Sequence, residues 1–317
     1  MMTTSESPPV ALLAPMPPLL TKRLQESGFR VINAFEAAPE ALLEVRAAVT
    51  RGSLDTGHAV FSRFPRLGLL CCWGVGYDGV DLAAARERGI QVSNSPGINA
   101  ASVADLAIGL MISIMRALPV AERYLRAGQW QDAGVRLPAA RGLTGGRVGI
   151  FGYGQVGRRV AARARALDMT IGCYTRRPPA DDDVQAFPDL VSLAQWADVL
   201  VVAASADAST FHAVDARVLQ ALGPEGYLVN VSRGSVVDEA ALCRVLDARQ
   251  LAGVGSDVFE QEPQVSDALL KFPNAVLTPH VGGSTQSAQA ALVETVVSNV
   301  TRFFSEGRPL YPVATGA

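Results

Sequence analysis

Residues 146–157, "GRVGIFGYGQVG", constrain the fold more tightly than any other stretch of this chain. A short apolar run leads into Gly152, Gly154 and Gly157, then out into the Ala-rich "RRVAARARAL". Strand, glycine turn and helix in that order open a βαβ unit whose turn holds the pyrophosphate of a dinucleotide. Gly152 permits the tight turn, Gly154 lets the pyrophosphate approach the backbone, and Gly157 lets helix and strand close together. With Gln155 and Val156 they make up the start of a helix, where unpaired N–H groups and the dipole favour an anion. A tight turn without a ligand is the competing reading. The apolar run "TIGCY" at 170–174, placed where the next strand should come, favours the dinucleotide.

The residues after that second strand decide which dinucleotide. An acid there would accept hydrogen bonds from a ribose 2′-hydroxyl and repel a 2′-phosphate. This chain has Thr175, Arg176 and Arg177 instead. A phosphomonoester carries about −1.5 to −2 charges, and each charge-assisted hydrogen bond is worth about 1.5–3 kcal/mol. The expectation is NADPH or NADP, with NADH a weaker alternative and Arg176 the main contact. Asp181 to Asp183, beyond two prolines, read as a solvated loop.

The rest of the chain fits parallel α/β structure. Short apolar runs at 10–14, 30–35, 68–73 and 90–94 alternate with helical patterns such as "PEALLEVRAAV" at 39–49. A second series occupies 146–152, 170–174, 197–204, 226–232, 251–258 and 274–280. Runs apolar throughout indicate strands covered on both faces. A chain of 317 residues exceeds what one core usually supports. The expected fold is therefore two doubly wound, Rossmann- or flavodoxin-like parallel-sheet domains with a cleft between them. Val293, Val297, Val300 and Phe304 share one face of a last helix, and a disordered tail is expected before Val10.

Several function classes fall away. A net charge of −2 offers no field for nucleic acid or anionic lipid. The most apolar helix candidate, "ASVADLAIGLMISIMRAL", carries Asp105 and Arg116 and reads as buried rather than membrane-spanning. The first twenty residues lack a basic start and make a poor signal peptide. Four cysteines form no framework and read as reduced thiols. A cytoplasmic protein without a metal site is expected.

Three histidines are available: His58, His212 and His280. His280 closes "NAVLTPH", Arg233 follows the strand "GYLVNVS", and in "SDVFEQEP" the strand ends at Asp257 while the loop after it carries Glu260 and Glu262. Ligands of doubly wound sheets bind at such carboxyl ends. A cation, a carboxylate and an imidazole together suit reduction of a 2-oxo acid. His280 would donate the proton, Glu262 would fix its ring, and Arg233 would hold the substrate carboxylate. Taken singly, each residue also admits a surface or core role.

The motifs "GVGYDGVD" (74–81), "VADLAIGL" (103–110), "GRVGIFGYGQVG" (146–157), "VNVSRGSVVDEAAL" (229–242), "DVFEQEP" (257–263) and "LTPHVGG" (277–283) carry a resemblance over nearly the whole chain. In that order they resemble the D-isomer-specific 2-hydroxyacid dehydrogenases, and within them the NADPH-dependent glyoxylate/hydroxypyruvate reductases, including the hydroxyphenylpyruvate reductase branch. The resemblance implies Arg233, Glu262 and His280 as the catalytic set and backbone N–H groups around Val75 and Gly76 as the substrate carboxylate site. It implies Asp257 facing the nicotinamide carboxamide, with Val103, Ser232 and Gly282 in the cofactor site. It further implies a discontinuous substrate domain, 1–98 plus 287–317, around a dinucleotide domain, 99–286. A homodimer is implied too, through the segment 101–145, where "GQWQDAGVRLP" (128–138) would fit an arm. Where relatives usually read Pro-Leu-Thr, this chain has "ASADAST" at 204–210. The expected substrate is a small 2-oxo acid, glyoxylate or hydroxypyruvate. The alternatives are bulkier 2-oxo acids such as hydroxyphenylpyruvate, or a nucleotide-sensing interaction protein on the same fold.

Overall fold

A computed structural model describes residues 7–132, 137–177 and 179–314. The chain forms two compact units, Met1–Asn99 with Thr285–Ala317, and Ala100–Ser284. The expected tail before Val10 lies largely outside the described residues, as does the middle of the expected arm at 128–138.

The first unit is built on β1 (Pro9–Leu12), β2 (Arg30–Asn33), β3 (Ala47–Arg51), β4 (Leu69–Trp73) and β5 (Gln91–Ser93). All pair in parallel, in the order β2-β1-β3-β4-β5. That is a flavodoxin-like doubly wound sheet. One face packs under the helices Pro18–Glu26 and Gln286–Glu306 through Leu20, Leu24, Val293, Val296 and Val300. The other packs on Phe61, Phe64, Ala84 and Ala85. The last helix buries Val293, Val297 and Val300 as its spacing predicts, whereas Phe304 is only half-buried and Phe303 is buried instead.

The expected helix at 39–49 is a correction. A short 3-10 turn, Pro39–Leu42, gives way to β3, whose Ala47, Ala48 and Val49 are wholly buried. Alanine favours helix by a few tenths of a kcal/mol per residue, about 0–0.7. Pairing with both β1 and β4 at the sheet centre outweighs that preference.

The second unit holds β6 (Arg147–Phe151), β7 (Thr170–Tyr174), β8 (Val184–Ala186), β9 (Val199–Val202), β10 (Tyr227–Asn230), β11 (Gly253–Ser256) and β12 (Ala275–Leu277). Their order is β12-β11-β10-β9-β6-β7-β8, again parallel throughout. This is the dinucleotide-fold order with one added strand, and its direction reverses between β6 and β9. Ligands of such sheets lie outside the strand ends at that point. β9 is buried along its whole length because both faces are covered. The helices Leu190–Trp196, Ala216–Leu222 and Glu239–Asp247 lie on one side, and Ala100–Met115 and Gln155–Arg165 on the other. Burying each Val or Leu contributes about 1.5–3 kcal/mol. The helix Ala100–Met115 is a core helix, and no single helix among the described residues is long and apolar enough to cross a membrane. β8 was not expected, since it follows directly on the Asp181 to Asp183 loop. β12 ends at Leu277, so His280 stands three residues past its strand rather than at the strand end.

Candidate active site

The glycine turn after β6 separates structural glycines from one with another purpose. Gly152 has φ +93, and a Cβ there would sit 2.4 Å from Ala204 Cα. A Cβ on Gly157 would sit 2.2 Å from the Gly152 carbonyl oxygen. The fold itself therefore demands glycine at both positions. Gly154 differs, because a Cβ there would meet no protein atom within 4 Å. Gly154 also stands at the N-cap of the helix Gln155–Arg165 and supplies no side-chain cap. Asp81, Asp189, Asp215, Asp238 and Thr285 each cap their own helix with a side-chain oxygen. Open backbone and uncapped N–H groups at Gln155, Val156 and Gly157 fit a pyrophosphate.

Beyond β7, Thr175 is half-buried while Arg176 and Arg177 are exposed. Arg176 Nη1 lies 3.4 Å from Asp207 Oδ2, in the "ASADAST" loop that follows β9. Asp207 is fixed in turn by the Ser209 N–H at 2.9 Å, while its own N–H donates to Thr210 Oγ1 at 2.8 Å. The Asp181 to Asp183 loop is exposed, as read, but tied down. Tyr153 donates to Asp181 at 2.5 Å and Arg165 pairs with Asp183.

The ends of β10, β11 and β12 bring the reacting groups together. Asn230, at the end of β10, is buried and donates to the Arg233 carbonyl at 3.0 Å while accepting from the Ser232 N–H at 3.1 Å. Ser232 Oγ donates to the Ala204 carbonyl, tying this turn to the end of β9. A Cβ on Gly234 would lie 1.9 Å from the Phe259 carbonyl carbon. Only glycine allows the Arg233 turn and the Glu262 loop to touch backbone to backbone. Glu262 Oε1 accepts from the Phe259 N–H at 3.1 Å, and Glu262 Oε2 lies 2.6 Å from His280 Nδ1.

His280 has φ +50, outside the region most side chains adopt. Its loop is clamped into that conformation by Asp257, which is 3 % exposed. Asp257 Oδ1 accepts from Thr278 Oγ1 at 2.6 Å and the Val281 N–H at 2.9 Å, and Oδ2 accepts from the Gly282 N–H at 2.8 Å. The His280 N–H donates to the Asp257 carbonyl at 2.9 Å. Much of the Asp257 carboxylate is thus spent on the His280 loop, a role its sequence position did not reveal. A Cβ on Gly282 would lie 2.9 Å from Asp257 Oδ2 and 3.5 Å from Val103 Cγ2, so glycine lets this loop sit against both.

The Glu262 bond holds the His280 imidazole above its ordinary value of 6.5, against burial and the nearby Arg233 charge. Burial pushes the Glu262 carboxyl up, but the His280 and Phe259 hydrogen bonds outweigh it and the net direction is down. An ionised Glu262 can only accept, so Nδ1 carries the proton in both charge states of the ring. Nε2 is then the position that gains and loses a proton. Arg233, close enough to act on both groups, adds a fixed cation beside this pair. Such an arrangement can deliver a proton and bind an anion.

In the first unit, Val75 and Gly76 sit in a loop after β4, fixed by two bonds. Asn94 Nδ2 donates to the Val75 carbonyl at 2.7 Å, and the Ser95 N–H donates to the Gly74 carbonyl at 2.8 Å. Val75 is exposed. Three structural contributors escaped the sequence reading: Asn230, Thr278 and Asp207. Only the last had a signal, as part of the departure at 204–210.

Residues 108–282 match the family "D-isomer specific 2-hydroxyacid dehydrogenase, NAD binding domain". Glyoxylate/hydroxypyruvate reductase A HPR2 of Arabidopsis thaliana is 38 % identical over 315 residues, covering 97 % of this chain and 99 % of its own. Hydroxyphenylpyruvate reductase of Plectranthus scutellarioides is 37 % identical over 266 residues, 84 % of each chain. A crystal structure of the NADPH-dependent glyoxylate/hydroxypyruvate reductase of Sinorhizobium meliloti, in complex with NADP and malonate, superposes with a TM-score of 0.88 at 39 % identity, covering 98 % of this chain and 97 % of that one. Glycine turn, doubly wound sheets and full-length similarity lead to one conclusion: this chain belongs to the D-isomer specific 2-hydroxyacid dehydrogenase family.

Proposed function

We propose that this protein is an NADPH-dependent reductase that converts a small 2-oxo acid, glyoxylate or hydroxypyruvate, to the D-2-hydroxy acid, with His280 as proton donor. The observation that carries the reading is the Glu262–His280 pair, bonded through Nδ1 at 2.6 Å beside Arg233. It leaves Nε2 as the titrating nitrogen of a ring whose protonated form is stabilised. When bound, a reduced nicotinamide supplies hydride to the carbonyl carbon. His280 Nε2 delivers the matching proton to the carbonyl oxygen, so the 2-oxo group gains both and becomes a hydroxyl. Arg233 holds the substrate carboxylate and polarises the carbonyl. Backbone N–H groups of Val75 and Gly76 are the first unit's own candidates for binding a carboxylate. Gly152 to Gly157 hold the pyrophosphate, and Thr175, Arg176 and Arg177 the 2′-phosphate. Val103, Ser232, Asp257 and Gly282 border the nicotinamide end. A homodimer in the cytoplasm completes the reading.

A second reading has its own support. The Plectranthus scutellarioides relative is a hydroxyphenylpyruvate reductase, which favours bulkier 2-oxo acids as substrates. Steady-state rates with glyoxylate, hydroxypyruvate, pyruvate and hydroxyphenylpyruvate, each with NADPH and NADH, separate the two. The first reading expects the highest kcat/KM with glyoxylate or hydroxypyruvate and NADPH. A preference for hydroxyphenylpyruvate would replace the substrate, and turnover of none would return the protein to the sensing class. Arg176→Ala is expected to lower the NADPH/NADH ratio of kcat/KM about tenfold or more.

A further inference from the structure

The chain lacks the acid that often follows the second strand of a dinucleotide fold, yet an acid reaches that place from elsewhere. Asp207, delivered by the loop after β9, lies 3.4 Å from the guanidinium of Arg176. We propose that Asp207 is a specificity-determining residue that competes with the 2′-phosphate of NADPH for Arg176 and so tempers the preference for NADPH over NADH. The inference rests on the reading of Arg176 as the 2′-phosphate contact.

Three observations support it. Asp207 is not a mobile surface acid: its Oδ1 accepts from the Ser209 N–H at 2.9 Å and from Ser209 Oγ at 2.5 Å. Thr210 Oγ1 both accepts from the Asp207 N–H at 2.8 Å and donates to the Ser205 carbonyl at 2.9 Å. Those bonds keep the carboxyl ionised and aim its second oxygen, Oδ2, at Arg176. Arg176 is the more open partner, with its side chain 79 % exposed against 39 % for Asp207. Finally, the nearby acids Asp181 and Asp183 have partners of their own, Tyr153 and Arg165, whereas Arg176 pairs with Asp207.

The physical consequence is a competition. With NADH, the Arg176–Asp207 pair persists. With NADPH, Arg176 must leave a fixed carboxylate for a phosphate, and the carboxylate then stands near a second anion. An exposed ion pair of this kind is worth a small factor, and removing it should tighten NADPH binding about two- to fivefold. The effect should shrink as salt screens both charges.

The test is calorimetric titration of NADP and of NAD into the wild type, Asp207→Asn, Arg176→Ala and the double variant, at low and high ionic strength. Asparagine keeps the shape and the acceptor facing Ser209 while removing the charge. The expected result is a lower Kd for NADP in Asp207→Asn by about two- to fivefold, a smaller gain at high salt, and no gain when Arg176 is already alanine. Steady-state kinetics should place the gain in KM for NADPH rather than in kcat. If Arg176→Ala weakens NADP but Asp207→Asn leaves it unchanged or weaker, this inference fails and the 2′-phosphate reading stands. Should Arg176→Ala leave NADP affinity untouched, both fall together.

Discussion

The second unit contains two imidazole–carboxylate pairs, and the contrast between them says more about function than either alone. His280 bonds Glu262 at 2.6 Å and His212 bonds Glu260 at 2.8 Å. Both histidines have φ +50, and both glutamates come from the one loop after β11. The difference is which ring nitrogen is engaged. His280 uses Nδ1, the nitrogen nearer its own backbone, and so presents Nε2, the reaching end of the ring. His212 uses Nε2 and is left with Nδ1, while its ring stacks on Phe211 at a centroid distance of 4.0 Å. The His212 backbone N–H also donates to the Ser235 carbonyl at 2.8 Å, which fastens the loop before the helix Ala216–Leu222 to the turn after β10. On the proposed function the first pair exchanges a proton with a ligand, while the second ties two loops together. Pairing with a carboxylate is common to both, so it cannot by itself identify a proton donor.

Variants sharpen that contrast in a graded way. His280→Ala should be the most damaging, lowering kcat for 2-oxo acid reduction by about 10²–10⁴-fold, the usual worth of a positioned general acid. Glu262→Gln should act more subtly, through pH. The wild-type imidazolium is stabilised, so the rate of reduction should hold until pH passes a point above 6.5 and then decline. Without the carboxylate, burial and Arg233 disfavour the charged ring with only the Asp257 charge opposing them, and the alkaline limb should move to lower pH than in the wild type. At a fixed pH beyond both limbs, the loss is about tenfold for every pH unit the limb moves. His212→Ala should be the mildest: kcat and its pH profile should stay as in the wild type, with a stability loss on the order of 1 kcal/mol from the Glu260 hydrogen bond and the ring stack. A pH profile displaced by His212→Ala would break the contrast, since it would make the second pair part of the proton path.

Legibility of the fold tracked locality. The turn at Gly152, Gly154 and Gly157 could be read because its logic is contained in a dozen consecutive residues. Strands of the second unit were found because burial on both faces leaves continuous apolar runs, as at Val199–Val202. β3 was missed because "RAAVTR" carries no alternation and its alanines suit a helix, so only its place between β1 and β4 makes it a strand. β8 was missed because three residues at a sheet edge leave almost no pattern. In the site, Arg233, Glu262 and His280 are legible from their positions after strands and from resemblance, and the structure bonds Glu262 to His280 with the Arg233 charge acting on both. What could not be read was how they are held. The Asp257 carboxylate clamps the His280 loop across more than twenty residues of sequence, and Gly234 is required by the backbone of Phe259, a contact between loops. Asp207 was visible only as part of a departure from an expected tripeptide, and its partner lies 31 positions away.

The account turns on which nitrogen of His280 bears the fixed proton. The chain has only three histidines, so long-range ¹H–¹⁵N spectra of uniformly labelled protein, assigned with the His280→Ala and His212→Ala variants, can resolve each ring. The expected result is that neutral His280 is the Nδ1–H tautomer with a bare Nε2, titrating above 6.5, and that His212 carries its proton on Nε2, facing Glu260. A neutral His280 found as the Nε2–H tautomer, or one titrating below 6.5, would contradict it.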